Sequence, residues 1–388
     1  MIPSNPATLA PMESILTSSQ ESAREEALAF AMRELTSGEI DPVFDREGWK
    51  KCRSLIATGV TIPREHGGKG QTLAEFVAMM EGLGHGCRRM GLLTAICAHV
   101  FGVVEPLHAG GSDDQKSRYL RKLATGEWVG AHGVTEPQAG SDLTGITTRA
   151  AADGGDWVIT GVKRYTTGGA GADLHVVYAR MNEPDRFRLS CFLVEAGTPG
   201  LSVRPLPAAG LAGSGLSEVT YDNVRVPGRN MLGKPGAGAM LFQGSIERER
   251  ACIFGATLGA MEREIELAVA YANERHVGGK AIAGHQAVAH RIADMKVRLD
   301  AARLLLYRVT ALKAAGKRAP MEAAVAKLFI SDAFVASSLD LIRIHGGNGF
   351  VAEGGVEGYL RDSLGGIIFS GTNDIQRNII AGCLGLRG

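Results

Sequence analysis

The chain has 388 residues, 45% of them hydrophobic and 21% charged, a balance that fits a folded globular protein and excludes disorder or a fibrous repeat. Its 42 lysines and arginines face 41 aspartates and glutamates, so no overall field draws it to nucleic acid or an anionic membrane. At roughly 100 to 200 residues per domain, two or three packed units are expected.

Residues 1–128 read as a helical unit. Glu21–Met32, Asp45–Leu55, Leu73–Gly84, Met90–Val104 and Ser112–Ala124 combine helix-forming residues with apolar spacings of three and four. Met90–Val104 is also the longest uncharged run of this part. It carries His99 and is shorter than the roughly 20 residues a membrane span needs, so none is expected. Past Trp128 the pattern changes to short β-branched and aromatic runs between Gly, Pro, Asn and Asp: Trp157–Thr160, Leu174–Ala179, Leu189–Val194 and Val219–Tyr221. Such strands without intervening helices predict a small barrel or sandwich over 129–235. From 236 to 388 helical periodicity returns at 245–275, 285–315, 321–344 and 373–384, the lengths of a four-helix bundle, with Pro320 suited to a first helical turn. The fold class is therefore α+β, in the order helical, all-β, helical.

Six scattered cysteines without a CxxC pair read as reduced, packed thiols, and Cys97 and His99 as core residues of one helix. The first 20 residues lack a basic stretch followed by an apolar run, so a cytoplasmic location is expected. Neither zinc spacing, a P-loop nor a convincing dinucleotide fingerprint is present, and no metal is expected.

Two features carry chemistry. The run Ile246-Glu247-Arg248-Glu249-Arg250 precedes 11 uncharged residues, Ala251 to Met261, as in a buried helix. At about 100 degrees per residue, four consecutive charges point to four sides of a helix, so at least one is enclosed unless the run is an ordinary solvated helix entry. The stretches His132–Asp142 and Lys163–Gly169 are rich in Gly, Thr and Ser. They suit irregular backbone whose hydroxyls and N–H groups orient a polar planar ligand, although turn punctuation explains them equally well.

Thr135-Glu136-Pro137-Gln138-Ala139-Gly140-Ser141-Asp142, Lys163-Arg164-Tyr165-Thr166-Thr167, the Arg275 to Gln286 spacing R-x-x-x-G-x-x-I-x-x-x-Q, His345-Gly346-Gly347-Asn348-Gly349 and Ser370-Gly371-Thr372-Asn373-Asp374-Ile375-Gln376 together resemble the acyl-CoA dehydrogenase superfamily along nearly the whole chain. The resemblance implies FAD. By motif position His132, Val134 and Thr135 lie on the flavin side, Tyr165 stacks near the ring and Thr167 donates toward N5. It further implies that Arg275, Gln286 and the Gly346-Gly347 turn reach the FAD of a neighbouring subunit in a dimer or tetramer, while Thr372, Asn373 and Asp374 sit near pyrophosphate and adenosine. Ser141 and Arg250 fall where the family holds a pantetheine arm. Gly278, Arg343 and Gly168 depart from the usual Phe, Gln and Asn, and the Arg343 guanidinium suits a pyrophosphate at least as well as an amide.

The family's reaction needs a carboxylate to take the α-proton of a thioester. Its commonest position is Ser370 here, too weak a base, whereas some members supply a Glu from an E-R pair that aligns with Glu249-Arg250; Glu249 is the expected base, with Glu247 the alternative. Small Ser370 and Gly278 then leave room beside the acyl group. The segments Glu249–Phe254, Met261–Arg263, Arg298–Leu306 and Leu360–Ser363 with Ile368–Thr372 are similar to a narrower branch, the L-prolyl-carrier-protein dehydrogenases. That likeness implies oxidation of a prolyl thioester on a carrier protein toward pyrrolyl, with a short branched acyl-CoA as the alternative substrate. Flavin monooxygenases or oxidases and a flavin-free docking subunit are the other classes considered.

Overall fold

The computed structural model describes residues 15–55, 57–181 and 188–386. They form two compact units, one of residues 37–76 and 89–253, the other of residues up to Thr36, Val77–Arg88 and Phe254 onward.

The first unit is organised by an eight-stranded sheet of β1 (Gly130–Gly133), β2 (Arg149–Asp153), β3 (Asp156–Thr166), β4 (Leu174–Met181), β5 (Leu189–Glu195), β6 (Leu201–Pro205), β7 (Ser217–Val226) and β8 (Met231–Leu232). The order is β6-β7-β3-β2-β4-β5-β8, and β1 pairs parallel with β4, His132 opposite Val176. Alternation along β4 and β5 divides the core between two faces. Leu174, Val176 and Tyr178 pack with Leu189, Cys191 and Leu193 on one face, whereas Val177, Ala179, Phe192 and Val194 pack on the other.

The four expected strands are present, extended at their ends, but β1, β2, β6 and β8 are additions. Their sequences explain why: GAHG and RAAAD lack β-branched residues, and β6 is mostly exposed. His132 and Gly133 thus lie in a strand, and Lys163 to Thr166 form the end of β3, where irregular backbone was expected.

The helix begun at Met90 runs to His99, passes through a π-helical turn at Val100–Val104 and continues as Glu105–Gly110. These 21 residues are long and apolar enough to cross a membrane, yet the apolar window is wholly buried. His99 ties this helix to the sheet, accepting at Nδ1 from the Gly130 N–H (2.8 Å) while Nε2 meets Leu123 O (3.1 Å). Burial takes its pKa down to about 4, so it is a neutral core residue. Cys97 is buried beside it, and no cysteine among the described residues is in a disulfide.

The second unit is helical: Ser18–Glu34, Gly255–Glu274, Gln286–Ala314, Pro320–His345, Glu357–Gly366 and Asn373–Cys383, with Val77–Arg88 against them. Pro320 is the first residue of its helix. Glu81, buried, receives Arg303 Nε (2.8 Å) and the Tyr307 hydroxyl (2.9 Å), and Arg24 reaches both Glu81 and Glu262, a shared ion network joining four helices.

The expected helix 245–275 is two helices, Gly238–Cys252 and Gly255–Glu274. The Ile253 N–H closes on Glu249 O (3.0 Å), and the chain restarts at Gly255, where a Cβ would stand 2.9 Å from Met80 Cβ. Absence of charge over Ala251–Met261 marks burial correctly but hides this break.

Glu264 is fully buried in the second unit, accepts from the Ser338 hydroxyl (2.5 Å), and is pushed well above the carboxylate range by burial. A raised folded-state pKa means that stability is greatest where both states are protonated and declines as pH rises above the ordinary value. Glu264→Gln, which keeps the acceptor and removes the ionisation, is expected to raise the melting temperature relative to wild type by a margin that widens from pH 5 to pH 9. An unchanging margin across that range would contradict it.

Candidate active site

The helix Gly238–Cys252 carries the four-charge run, and its faces sort the charges as geometry requires. Arg248 is exposed and reaches Glu105 Oε2 (3.1 Å), Glu247 and Arg250 are half-buried, and Glu249 is only 6% exposed. Glu249 is therefore the enclosed charge. Its Oε2 lies 4.0 Å from His132 Nε2 on β1. Burial, then Cys252 and Glu249, push the Cys97 thiol well above its usual range, and burial, Cys191 and Glu249 do the same to the Tyr178 phenol. These neighbours stay neutral at physiological pH. Arg250 is lowered from its ordinary value by burial, against the opposing pull of Glu249 and Glu247.

The stretches containing Thr135 and Tyr165 meet because Lys163 clamps them. Its Nζ, buried, donates to Val134 O (2.9 Å) and to Glu136 Oε1 (2.8 Å), and the Arg164 N–H donates to Thr135 O (2.8 Å). Glu136 also accepts from Thr147 N (2.7 Å), Thr147 Oγ1 (2.9 Å) and Thr148 N (2.9 Å). Burial acts to raise its pKa, but Lys163 and these donors prevail and bring it to about 2; burial lowers Lys163 to about 8, with Glu136 opposing. At neutral pH the pair is ionised. Lys163 was visible as a motif residue, but nothing in its spacing marked it as the clamp.

Beyond the clamp, the β3–β7 register slips between Lys163 and Thr166, and Tyr165 takes φ 62°, leaving its ring 57% exposed with the Arg164 guanidinium 5.4 Å from its centroid. A left-handed tyrosine is strained backbone of the kind that clusters at ligand sites. Thr135 and Thr167 are half-buried, Val134 is buried, and Ser141 is exposed on a loop capped by Asp142.

In the helical unit a cavity of about 410 Å³ is lined by Arg275, Gly346, Gly347, Asn348 and Tyr271 among others. Tyr271 stacks on His345 at 4.2 Å and 23°. Residues some 70 apart in sequence thus converge on one cavity. Gln286 begins the helix Gln286–Ala314 and does not line the cavity. Neither does Arg343, which pairs with Asp340 (3.1 Å) alongside Arg291 and Arg298. Gly278 is explained locally: with Gly279 it forms a two-residue hairpin loop at φ 59° and 79° between His276–Val277 and Lys280–Ala281, conformations a phenylalanine resists.

Thr372 caps the helix Asn373–Cys383, accepting from the Ile375 N–H (3.3 Å), and Asp374 is exposed beside Arg377. Ser370 adopts φ 53°. Buried Lys327 fixes this loop by donating to Asn373 Oδ1 (2.6 Å), a contact the sequence did not announce.

Three family models match the chain in order: the acyl-CoA dehydrogenase N-terminal domain over 17–127, the middle domain over 131–224 and the C-terminal domain over 236–384. The chain belongs to the acyl-CoA dehydrogenase family. A relative from Pseudomonas fluorescens, described as L-prolyl-[peptidyl-carrier protein] dehydrogenase, is 41% identical over 87% of this chain and 90% of its own length. Among solved structures, the prolyl acyl carrier protein oxidase AnaB is 36% identical with a TM-score of 0.92, covering 96% of this chain and 100% of its own. PigA with FAD and proline is 35% identical with a TM-score of 0.91, covering 97% and 100%.

FAD is the cofactor, as in the family to which the chain belongs, and the residues present fit the group. The β unit presents Thr135, Thr167 and a protruding tyrosine ring on a rigid sheet, suited to a planar heterocycle. The helical cavity combines a guanidinium, an amide, glycine backbone open to approach at Gly346 and Gly347, and apolar walls from Val277, Ile282 and Ile344, a donor set for a phosphate-linked aromatic.

Proposed function

We propose that this protein oxidises an L-prolyl group, held as a thioester on the phosphopantetheine arm of a carrier protein, toward the pyrrolyl thioester. The observation that carries the reading is the enclosed Glu249 carboxylate in the β unit, because Ser370 offers no carboxyl at the position most family members use. The likeness to the Pseudomonas relative and to AnaB supports prolyl over other acyl groups.

Bound FAD supplies the acceptor for the β-hydride. The chain's own residues do the rest. Glu249 takes the α-proton, and Val134, Thr135, Tyr165 and Thr167 would hold the flavin against the β unit. Ser141 and Arg250 hold the pantetheine arm. Each two-electron oxidation removes one proton and one hydride, and two rounds, with an external electron acceptor reoxidising the flavin after each, take four hydrogens from the ring.

Arg275, Gln286, Gly346 and Gly347 serve the FAD of a partner subunit in a homodimer or homotetramer. Exposed Val297 and Leu304, seven residues apart on one helix, supply an apolar stripe for that assembly. The enzyme works in the cytoplasm, where its thiols, none of them in a disulfide among the described residues, remain reduced.

Anaerobic mixing of the FAD-loaded enzyme with prolyl-carrier protein is expected to bleach the flavin, while short branched acyl-CoAs bleach it at least about tenfold more slowly. Faster bleaching by an acyl-CoA would replace the carrier reading with the branched-chain one.

A further inference from the structure

Every oxidation needs its base returned to carboxylate, and two oxidations of one tethered ring need this twice for each product released. Each leaves a proton on the same carboxyl, so Glu249 must be emptied before the second round begins. Its immediate neighbours are poorly suited to receive it. Burial holds the Cys97 thiol and Tyr178 phenol firmly protonated, and Cys252 is likewise a buried thiol.

His132 is placed differently. Its Nε2 lies 4.0 Å from Glu249 Oε2, and its side chain is 17% exposed against 7% for the glutamate, so it is the more accessible of the two. The ring is held edge-on by the π-helical turn Val100–Val104: a Cβ on Gly102 would come within 1.9 Å of His132 Nδ1. That contact turns Nδ1 toward the helix and Nε2 toward Glu249. Among the described residues Nδ1 is buried without a hydrogen-bond partner, so no carbonyl among them locks the tautomer. The other two histidines of this region cannot substitute. His99 has both ring nitrogens engaged, and burial brings His175 on β4 down to about 4.

The remaining charged groups on the elements around His132 are already committed or face elsewhere: Lys163 on β3 is bonded to Glu136, Glu105 is paired with Arg248, and Glu247 and Arg250 occupy other sides of the glutamate helix.

We infer that His132 is the proton relay of Glu249, accepting at Nε2 the proton that each oxidation deposits and passing it to solvent. The proton leaves the Glu249 carboxyl, which returns to carboxylate, and imidazole becomes imidazolium until water removes the charge. A small side-chain movement or one bridging water closes the 4.0 Å gap. The inference rests on Glu249 being the base. His132 acts through that carboxylate and does not itself take hydrogen from the substrate.

The test uses the FAD-loaded enzyme, with His132→Gln and His132→Asn compared by two readouts, the rate of first flavin bleaching and the intact mass of the carrier protein after turnover. Measured against each variant's own rate of first bleaching, turnover is expected to fall about tenfold or more, and carrier two hydrogens lighter accumulates in place of carrier four hydrogens lighter. The deficit should shrink at alkaline pH, where hydroxide empties the carboxyl directly, and added imidazole should restore four-hydrogen loss in His132→Ala. Four-hydrogen product at the wild-type rate from either first variant overturns the relay, as does a loss confined to first-round bleaching without imidazole rescue. Glu249→Gln keeps the two ideas apart: wild-type bleaching there removes the base itself, whereas an inactive Glu249→Gln beside a fully active His132→Gln removes only the relay.

Discussion

Glu249→Gln is expected to retain FAD and its melting temperature while losing turnover by about a thousandfold, within the 10²- to 10⁴-fold range of general-base catalysis. Glutamine keeps the side-chain volume, so the contacts around the enclosed position survive. What disappears is the capacity to accept a proton at a carboxyl oxygen. Glu247, one of the other charges in the run, is half-buried on a different side of the same helix, and Glu247→Gln should stay within about threefold of wild type. Glu249→Asp is the finer probe. It preserves the charge but withdraws the carboxyl by one methylene, and geometry of this kind is worth orders of magnitude when reacting atoms must approach to about 3 Å. Anaerobic flavin bleaching by prolyl-carrier protein gives the rate, and the flavin absorbance of the purified variants gives the occupancy. Full activity in Glu249→Gln, or an equal loss in Glu247→Gln, would move the base.

The enclosed glutamate was legible because helix geometry needs only sequence order: four consecutive charges cannot share one face, and the uncharged stretch after them announces burial. Which of the four is enclosed was not legible from periodicity. It was reached through the resemblance, and the structure supplies the physical reason in the facing strand β1. That strand was invisible because Gly130-Ala131-His132-Gly133 has neither β-branched residues nor bulk; it is a strand because β4 beside it is one. The same cause hid His132 as a neighbour of Glu249, since a tertiary approach across more than a hundred residues leaves no local pattern. The π-helical turn at Val100–Val104 is hidden for a related reason: its apolar residues read as ordinary helix, and only Gly102 hints that something presses close. Likewise the break at Ile253-Phe254 lies within an uninterrupted apolar run and is set by packing of Gly255 against Met80. The helical cavity lay between these extremes, its two motifs readable separately and their convergence made by the fold.

Lys163→Met is expected to destabilise the β unit by roughly 3 to 5 kcal/mol, because it leaves the Glu136 carboxylate buried without its cation. The same substitution should weaken FAD binding, since Lys163 also holds Val134 O and so fixes the edge that carries Thr135 against the bulge that carries Tyr165. The pH dependence separates the ionic part from simple loss of packing. Glu136 is held near 2 in the folded protein, below its ordinary value of 4.5, so its contribution is fully present above about 4.5 and is lost as pH falls toward 2. The wild-type advantage over Lys163→Met should therefore be large at pH 7 and narrow through that acid window, as the carboxyl of the variant takes up a proton and no longer needs a counter-charge. Adding Glu136→Gln to Lys163→Met should recover a substantial part of the stability at neutral pH, because the single amide oxygen can still accept from the Thr147 N–H and hydroxyl and no charge is left behind. Urea unfolding at pH 7 and pH 3 with flavin-fluorescence titration at pH 7 measures both effects. A double variant no more stable than Lys163→Met would show that the lysine acts through its buried aliphatic stem and not through its charge.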